Sequence, residues 1–110
     1  MFSILRHHEL KAMIDRNDDM VILDVLPEES FLKKHLPGAI NIPAHAENFE
    51  VMVEKMIQDK STPVVVYCAN ADCQASATSA QKIAEMGYKN VSDYENGLSE
   101  WEEEGYKMDE

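Results

Sequence analysis

Apolar residues fall along this chain in two alternating patterns: unbroken runs of strand length, and spaced positions that recur at helical period. Residues 21–26 read Val-Ile-Leu-Asp-Val-Leu and residues 64–68 read Val-Val-Val-Tyr-Cys. Short, β-branched, nearly continuous runs predict strands buried on both faces, as in a parallel sheet. Residues 39–42 and 91–94 predict two shorter strands. Ile4, Leu5, Leu10, Met13 and Ile14 predict a helix over 4–16, with Ser3 as its cap and Asn17-Asp18-Asp19 as its end. Pro27-Glu28-Glu29 opens a short second helix. Phe49, Met52, Val53, Met56 and Ile57 form the apolar face of a third, which ends before Pro63. A fourth is predicted over 76–86 with Ala77, Ala80, Ile83 and Ala84 inward and Gly87 as its stop. Asn96-Gly97 turns into a last helix over 98–104 that buries Leu98 and Trp101. Strands alternating with helices of these lengths predict an α/β domain with a mainly parallel sheet.

Length and charge narrow the classes of function. A chain of 110 residues with 45% hydrophobic content is expected to be one domain over 1–110 with its own core. Twenty-one acidic residues against ten basic ones give a formal charge of −11, which argues against nucleic acid or an anionic membrane as a partner. No apolar stretch approaches the ~20 residues that span a bilayer. The opening Met-Phe-Ser-Ile-Leu-Arg lacks the apolar centre of a signal peptide, so a cytoplasmic location is expected. Two cysteines make neither a secreted disulfide framework nor a metal set, and His7, His8 and His45 show no ligand spacing. No metal or other cofactor is expected.

The candidate chemistry sits where strands end. In open parallel sheets ligands bind beyond the carboxyl ends of the strands, and Asp24, Pro27 and Cys68 all fall there. Cys68 leads into Ala69, Asn70, Ala71, Asp72, Cys73, Gln74, Ala75 and Ser76, after which the fourth helix opens. The free N–H groups of a helix start turn toward such a loop, favour negative charge and lower a cysteine pKa. Cys68 is therefore the candidate nucleophile, its bland alternative being a small buried hydrophobe. Cys73 faces solvent, packs under the loop, or acts as a resolving thiol; the sequence leaves the three open. Ser76 is read as the N-cap of the fourth helix, with a hydroxyl able to turn toward sulfur. Asp24 and His35 are read as holding neighbouring loops rather than as a proton-transfer couple. Tyr94 and Trp101 are read as packing, and Glu100, Glu102, Glu103 and Glu104 as a solvated helix face before a docking surface for a basic partner.

Taken in order, Ile22-Leu23-Asp24-Val25, Glu28-Glu29-Ser30-Phe31, His35-Leu36-Pro37-Gly38-Ala39-Ile40-Asn41-Ile42-Pro43, Val64-Val65-Val66-Tyr67-Cys68, Gly87-Tyr88-Lys89-Asn90-Val91 and Gly97-Leu98-Ser99-Glu100-Trp101 resemble a single-domain rhodanese over about residues 5–106. The resemblance implies a rhodanese-like five-stranded sheet with helices on both faces. It also implies a cysteine, here Cys68, that carries a sulfane sulfur as a persulfide from a small donor or protein persulfide to a thiol or other nucleophilic acceptor. Residues 69–76 would supply the loop amides around it. The chain departs from the family pattern in its loop, which holds no base and one acid, Asp72. Leu26 stands where many relatives carry arginine, Asn96 stands where a glycine pair is common, and the loop is longer than the common form. Weak use of thiosulfate is the expected consequence. A phosphatase or arsenate reductase of the same fold needs a cation between Cys68 and Ser76, and the loop has none. The competing reading is a thiol redox switch, or a non-catalytic interaction module, built on the Cys68/Cys73 pair.

Overall fold

In the computed structural model, which describes residues 1–109, the elements run β1 (Ser3–Ile4), α1 (His7–Asp15), β2 (Val21–Asp24), α2 (Glu28–Lys33), β3 (Ile40–Asn41), α3 (Phe49–Met56), β4 (Val64–Tyr67), α4 (Ala75–Glu85), β5 (Val91–Tyr94) and α5 (Gly97–Glu103). The strands form a single five-stranded sheet of order β1-β5-β4-β2-β3, and every pairing in it is parallel. The register sets Asp24 beside Tyr67 and Tyr67 beside Tyr94. The carboxyl ends of the three inner strands are thus level.

Because side chains alternate across a strand, β4 feeds two cores. Val64, Val66 and Cys68 point to the face covered by α3 and α4, among Leu23, Phe49, Val53, Ala80 and Ile83. Val65 and Tyr67 point to the other, among Leu10, Leu36, Tyr94, Leu98 and Trp101. Fully burying one such side chain is worth about 1.5–3 kcal/mol. An exposed ion pair such as Lys11–Asp15 contributes about 0.2–1 kcal/mol, so the two cores hold the fold. Among the described residues no helix is long and apolar enough to cross a membrane.

Three sequence expectations change. Ser3 is not a helix cap: Ser3 and Ile4 pair with Ser92 and Asp93 as an edge strand, and α1 starts only at His7. Sheet pairing with the far end of the chain outweighs the local helical spacing of Ile4 and Leu5, and Leu5 N–H extends it to the Asp93 carbonyl at 3.0 Å. This is the fifth strand, which the apolar pattern alone did not supply. Second, α4 opens at Ala75 with Gln74 at the cap position, and Ser76 lies buried in the first turn. Third, β2 stops at Asp24, because its carboxylate Oδ1 accepts the Leu26 N–H at 2.8 Å and turns the chain.

Candidate active site

Cys68 follows the last residue of β4 and is 1% exposed. Its sulfur is bonded to that of Cys73, with the two Cα atoms 6.3 Å apart. The Cys68 sulfur is buried and half-buried Cys73 is joined to it, so the two cysteines, whose pairing the sequence leaves open, are held here as a disulfide. The loop brings this about through Asn70, whose carbonyl accepts the Cys73 N–H at 3.1 Å and whose Oδ1 accepts the Asp72 N–H at 3.0 Å. That turn folds Cys73 back to Cys68. The amides of Asp72 and Cys73 are thereby engaged within the loop. The N–H groups of Ala69, Asn70, Ala71 and Gln74 in the loop, and of Ala75, Ser76 and Ala77 in the first turn of α4, have no acceptor among the described residues and are the donors available to a sulfur anion.

The start of the loop is tied to α5. Leu98 N–H donates to the Cys68 carbonyl at 3.0 Å, and Ser99 N–H donates to the Ala69 carbonyl at 2.8 Å. The free donors of that helix start thus fix the backbone on which Cys68 stands. Gly97 permits the approach, since a Cβ there would lie 2.5 Å from the Cys68 carbonyl oxygen. In the sequence Gly97 stands out only as part of the Asn96-Gly97 turn and of the Gly-Leu-Ser-Glu-Trp run, neither of which shows this contact.

Asp24 and His35 are not gathered with the sulfurs. Asp24 Oδ2 accepts the Tyr67 hydroxyl at 2.5 Å, and that hydroxyl accepts the Leu36 N–H at 3.1 Å, on the face opposite Cys68. Burial pushes the Asp24 carboxyl above its usual range, opposed by Tyr67, by the Leu26 N–H and by His35. The Tyr67 phenol is pushed up by burial and by Asp24. The His35 ring stacks on Phe31 with centroids 3.9 Å apart, its Nδ1 lies 2.8 Å from the Phe31 carbonyl oxygen, and its backbone pairs with Asp109. Tyr67→Phe leaves the buried Leu36 N–H without an acceptor and removes a donor from Asp24. The expected cost is about 2–3 kcal/mol, read as a lower urea midpoint at unchanged slope.

Asp93, which is not among the sequence candidates, is the second buried carboxyl, at 1% exposure. Its register beside Val66 turns it to the Cys68 face, beneath the first turn of α4. Ser76 is close enough to oppose the rise in its pKa, yet neither Ser76 Oγ nor Asp93 Oδ1 completes a hydrogen bond. Burial, aided by Glu95, holds the carboxyl above the ordinary 3.8. A raised folded-state pKa contributes stability that is complete below the unfolded value and is lost as pH rises through the folded one. Asp93→Asn is therefore expected to raise stability at pH 7 by about 1 kcal/mol and to change little at pH 3, as measured by urea unfolding at the two pH values.

Clefts of about 410 Å³ flank the loop on both sides. One is lined by Ala44, His45, Cys73, Thr78 and Lys82, the other by Asn70, Asp72, Ser99, Glu100 and Glu103. A further hollow of about 310 Å³, between residues 4–8 and Glu95–Glu100, borders neither sulfur.

An α/β sheet that presents a cysteine loop at its carboxyl end defines the class. The rhodanese-like domain family matches residues 6–104, and the chain belongs to that family. It is similar to the adenylyltransferase and sulfurtransferase UBA4 of Meyerozyma guilliermondii, 36% identical over 108 residues, which cover 90% of this chain and 25% of that protein. It is also similar to the thiosulfate sulfurtransferase GlpE of Coxiella burnetii, 29% identical over 101 residues, covering 92% and 88%. Among solved structures, the BH2092 protein of Bacillus halodurans superimposes with a TM-score of 0.87 at 23% identity, covering 97% of this chain and 76% of that one. The chain thus spans about a quarter of the UBA4 protein and most of GlpE.

Proposed function

We propose that this protein is a sulfurtransferase that carries a sulfane sulfur as a persulfide on Cys68. Membership of the rhodanese-like family and the sulfurtransferase names of two relatives support the reaction class. The observation that carries the mechanism is the Cys68–Cys73 bond, which brings a second sulfur to the position where a persulfide would form. In the reduced protein the Cys68 thiolate attacks the outer sulfur of a donor R–S–SH, and R–S⁻ leaves. The first-turn amides of α4 stabilise the charge on sulfur before and after transfer. An acceptor thiolate then takes the outer sulfur and Cys68 leaves as thiolate. Without an acceptor, Cys73 attacks the inner sulfur of Cys68–S–SH, hydrogen sulfide departs, and the observed disulfide closes.

No base stands among residues 69–76, and Asp72, Glu100 and Glu103 line one side. A donor with a dianionic group next to the transferred sulfur is disfavoured there, so neutral or protein-bound persulfides are the donors proposed, and thiosulfate is a poor one. A protein or small thiol is the acceptor, and the setting is cytoplasmic. The two relevant arms are wild type and Cys73→Ser. Reduced wild type treated with a persulfide donor and no acceptor is expected to release hydrogen sulfide in one-to-one ratio with disulfide formed. Cys73→Ser releases none. Equal release from both proteins would contradict the resolving step. The disulfide also supports a second reading, a thiol redox switch. That reading requires the bond to close with peroxide while no donor loads sulfur on Cys68.

A further inference from the structure

The clefts on either side of the loop are alike in size and opposite in charge. On the α5 side Asp72, Glu100 and Glu103 meet any anion with like charge. On the α4 side no carboxylate lines the cleft, and the one lysine there is Lys82. Its Nζ lies 5.6 Å from the centroid of the Phe49 ring, and no carboxylate pairs with it among the described residues. In a chain of net charge −11, this is an unneutralised ammonium at the edge of a hollow that also holds Cys73.

Position and reach suit a ligand longer than a simple sulfur oxyanion. Ala75, Thr78, Ser79 and Lys82 recur at helical spacing and form the α4 wall of the cleft. Lys82 thus stands about 10 Å along the helix axis from Ala75, and its side chain leans back toward the helix start. That is too far to hold a sulfonate joined directly to an attacked sulfur, and suitable for a carboxylate several atoms away. Of the two bonded sulfurs, only that of Cys73 belongs to a residue lining the cleft, while Cys68 is 1% exposed.

We propose that this cleft binds a small thiol bearing a carboxylate several atoms from its sulfur, with Lys82 holding the carboxylate while the thiolate opens the Cys68–Cys73 disulfide. The inference rests on the sulfur-transfer reading in that reopening returns Cys68 to the reduced form that reading requires. The thiolate R–S⁻ attacks the Cys73 sulfur, the Cys68–Cys73 bond breaks, and its electron pair leaves on Cys68. A second R–S⁻ attacks the R sulfur of the mixed disulfide, giving R–S–S–R and the Cys73 thiolate. Two thiols are oxidised, and one protein disulfide is reduced.

The probes are 6-mercaptohexanoate and 6-mercaptohexanamide, of equal length and differing in charge, with the rate of disulfide opening in the whole chain normalised to thiolate concentration. Net charge alone makes the acid slower. Binding at Lys82 makes it about threefold faster at low ionic strength, the size of one half-exposed ion pair. The advantage disappears in Lys82→Gln and in high salt, and Lys82→Arg retains it. 3-Mercaptopropionate, too short to span from Cys73 to Lys82, shows no preference over its amide. An acid no faster than its amide in wild type, an equal preference in Lys82→Gln, or a preference that persists with the short acid overturns the proposal. Sulfur loading on Cys68 is scored separately, in chemically reduced protein. Normal loading without an acid preference defeats this inference alone, and an intact preference without loading defeats the sulfur-transfer reading alone.

Discussion

Cys68→Ser is expected to lose sulfur transfer at least a thousandfold with every donor, since the residue that forms the covalent intermediate is gone. A serine hydroxyl at the same place is a far weaker nucleophile, because only a minute fraction of it is ionised at neutral pH. The substitution also removes the disulfide, so its effect must be separated from a loss of stability. Cys73→Ser supplies that separation, since it deletes the same bond and keeps Cys68. Steady-state transfer from a small persulfide to a thiol acceptor is expected to stay within about tenfold of wild type in Cys73→Ser and to vanish in Cys68→Ser. Similar losses in the two variants, with unfolding midpoints lowered alike, would mean that the disulfide supports the fold and that Cys68 has no chemical role of its own.

Gly97→Ala is expected to cost at least about 2 kcal/mol, an effect out of proportion to one added methyl group. Two costs combine. The φ angle of +69° lies in the left-handed region that disfavours any side chain, and the new Cβ meets backbone on every near side. The nearest atoms are the Cys68 carbonyl oxygen at 2.5 Å, the Ala69 carbonyl carbon at 2.9 Å and the Asn70 nitrogen at 2.9 Å. None of these is the free end of a flexible side chain, so the loop or α5 has to move. Such movement stretches the Leu98-to-Cys68 and Ser99-to-Ala69 hydrogen bonds that fix the nucleophile's backbone. A urea midpoint lowered at unchanged slope, with slower loading of Cys68, is the expected pair of results. A variant as stable as wild type would contradict this packing.

These effects differ in how far they could be read from sequence. Two of the inner strands, β2 and β4, were legible because residues 21–23 and 64–66 are uninterrupted aliphatic runs rich in β-branched residues, and burial on both faces suits such runs. The inward face of α3 was legible through Phe49, Val53 and Ile57, all buried. β1 was not, because two exposed residues carry no periodicity of their own and their partners, Ser92 and Asp93, lie at the other end of the chain. Cys68 stood out by its place after a strand. Its closeness to Cys73 depends on Asn70 accepting two N–H groups, a turn that the loop composition permits without requiring. Serine is common at helix caps, and the sequence therefore predicts Ser76 at that position. The helix starts one residue earlier and draws it inward. Asp93 lies inside a predicted strand with nothing in the pattern to single it out, and its unpartnered Oδ1 arises only when α4 is laid over β5. Gly97 and Lys82 depend on segments far away in sequence, the cysteine loop in one case and the β3–α3 connection in the other.

The most direct test of the sulfur-transfer account is the mass of reduced Cys73→Ser protein after brief treatment with a small persulfide donor, followed by peptide mapping. The account predicts one added sulfur, carried on Cys68, removed by a thiol acceptor and absent from Cys68→Ser. An unchanged mass with every donor, or an added sulfur that Cys68→Ser still takes up, would contradict it.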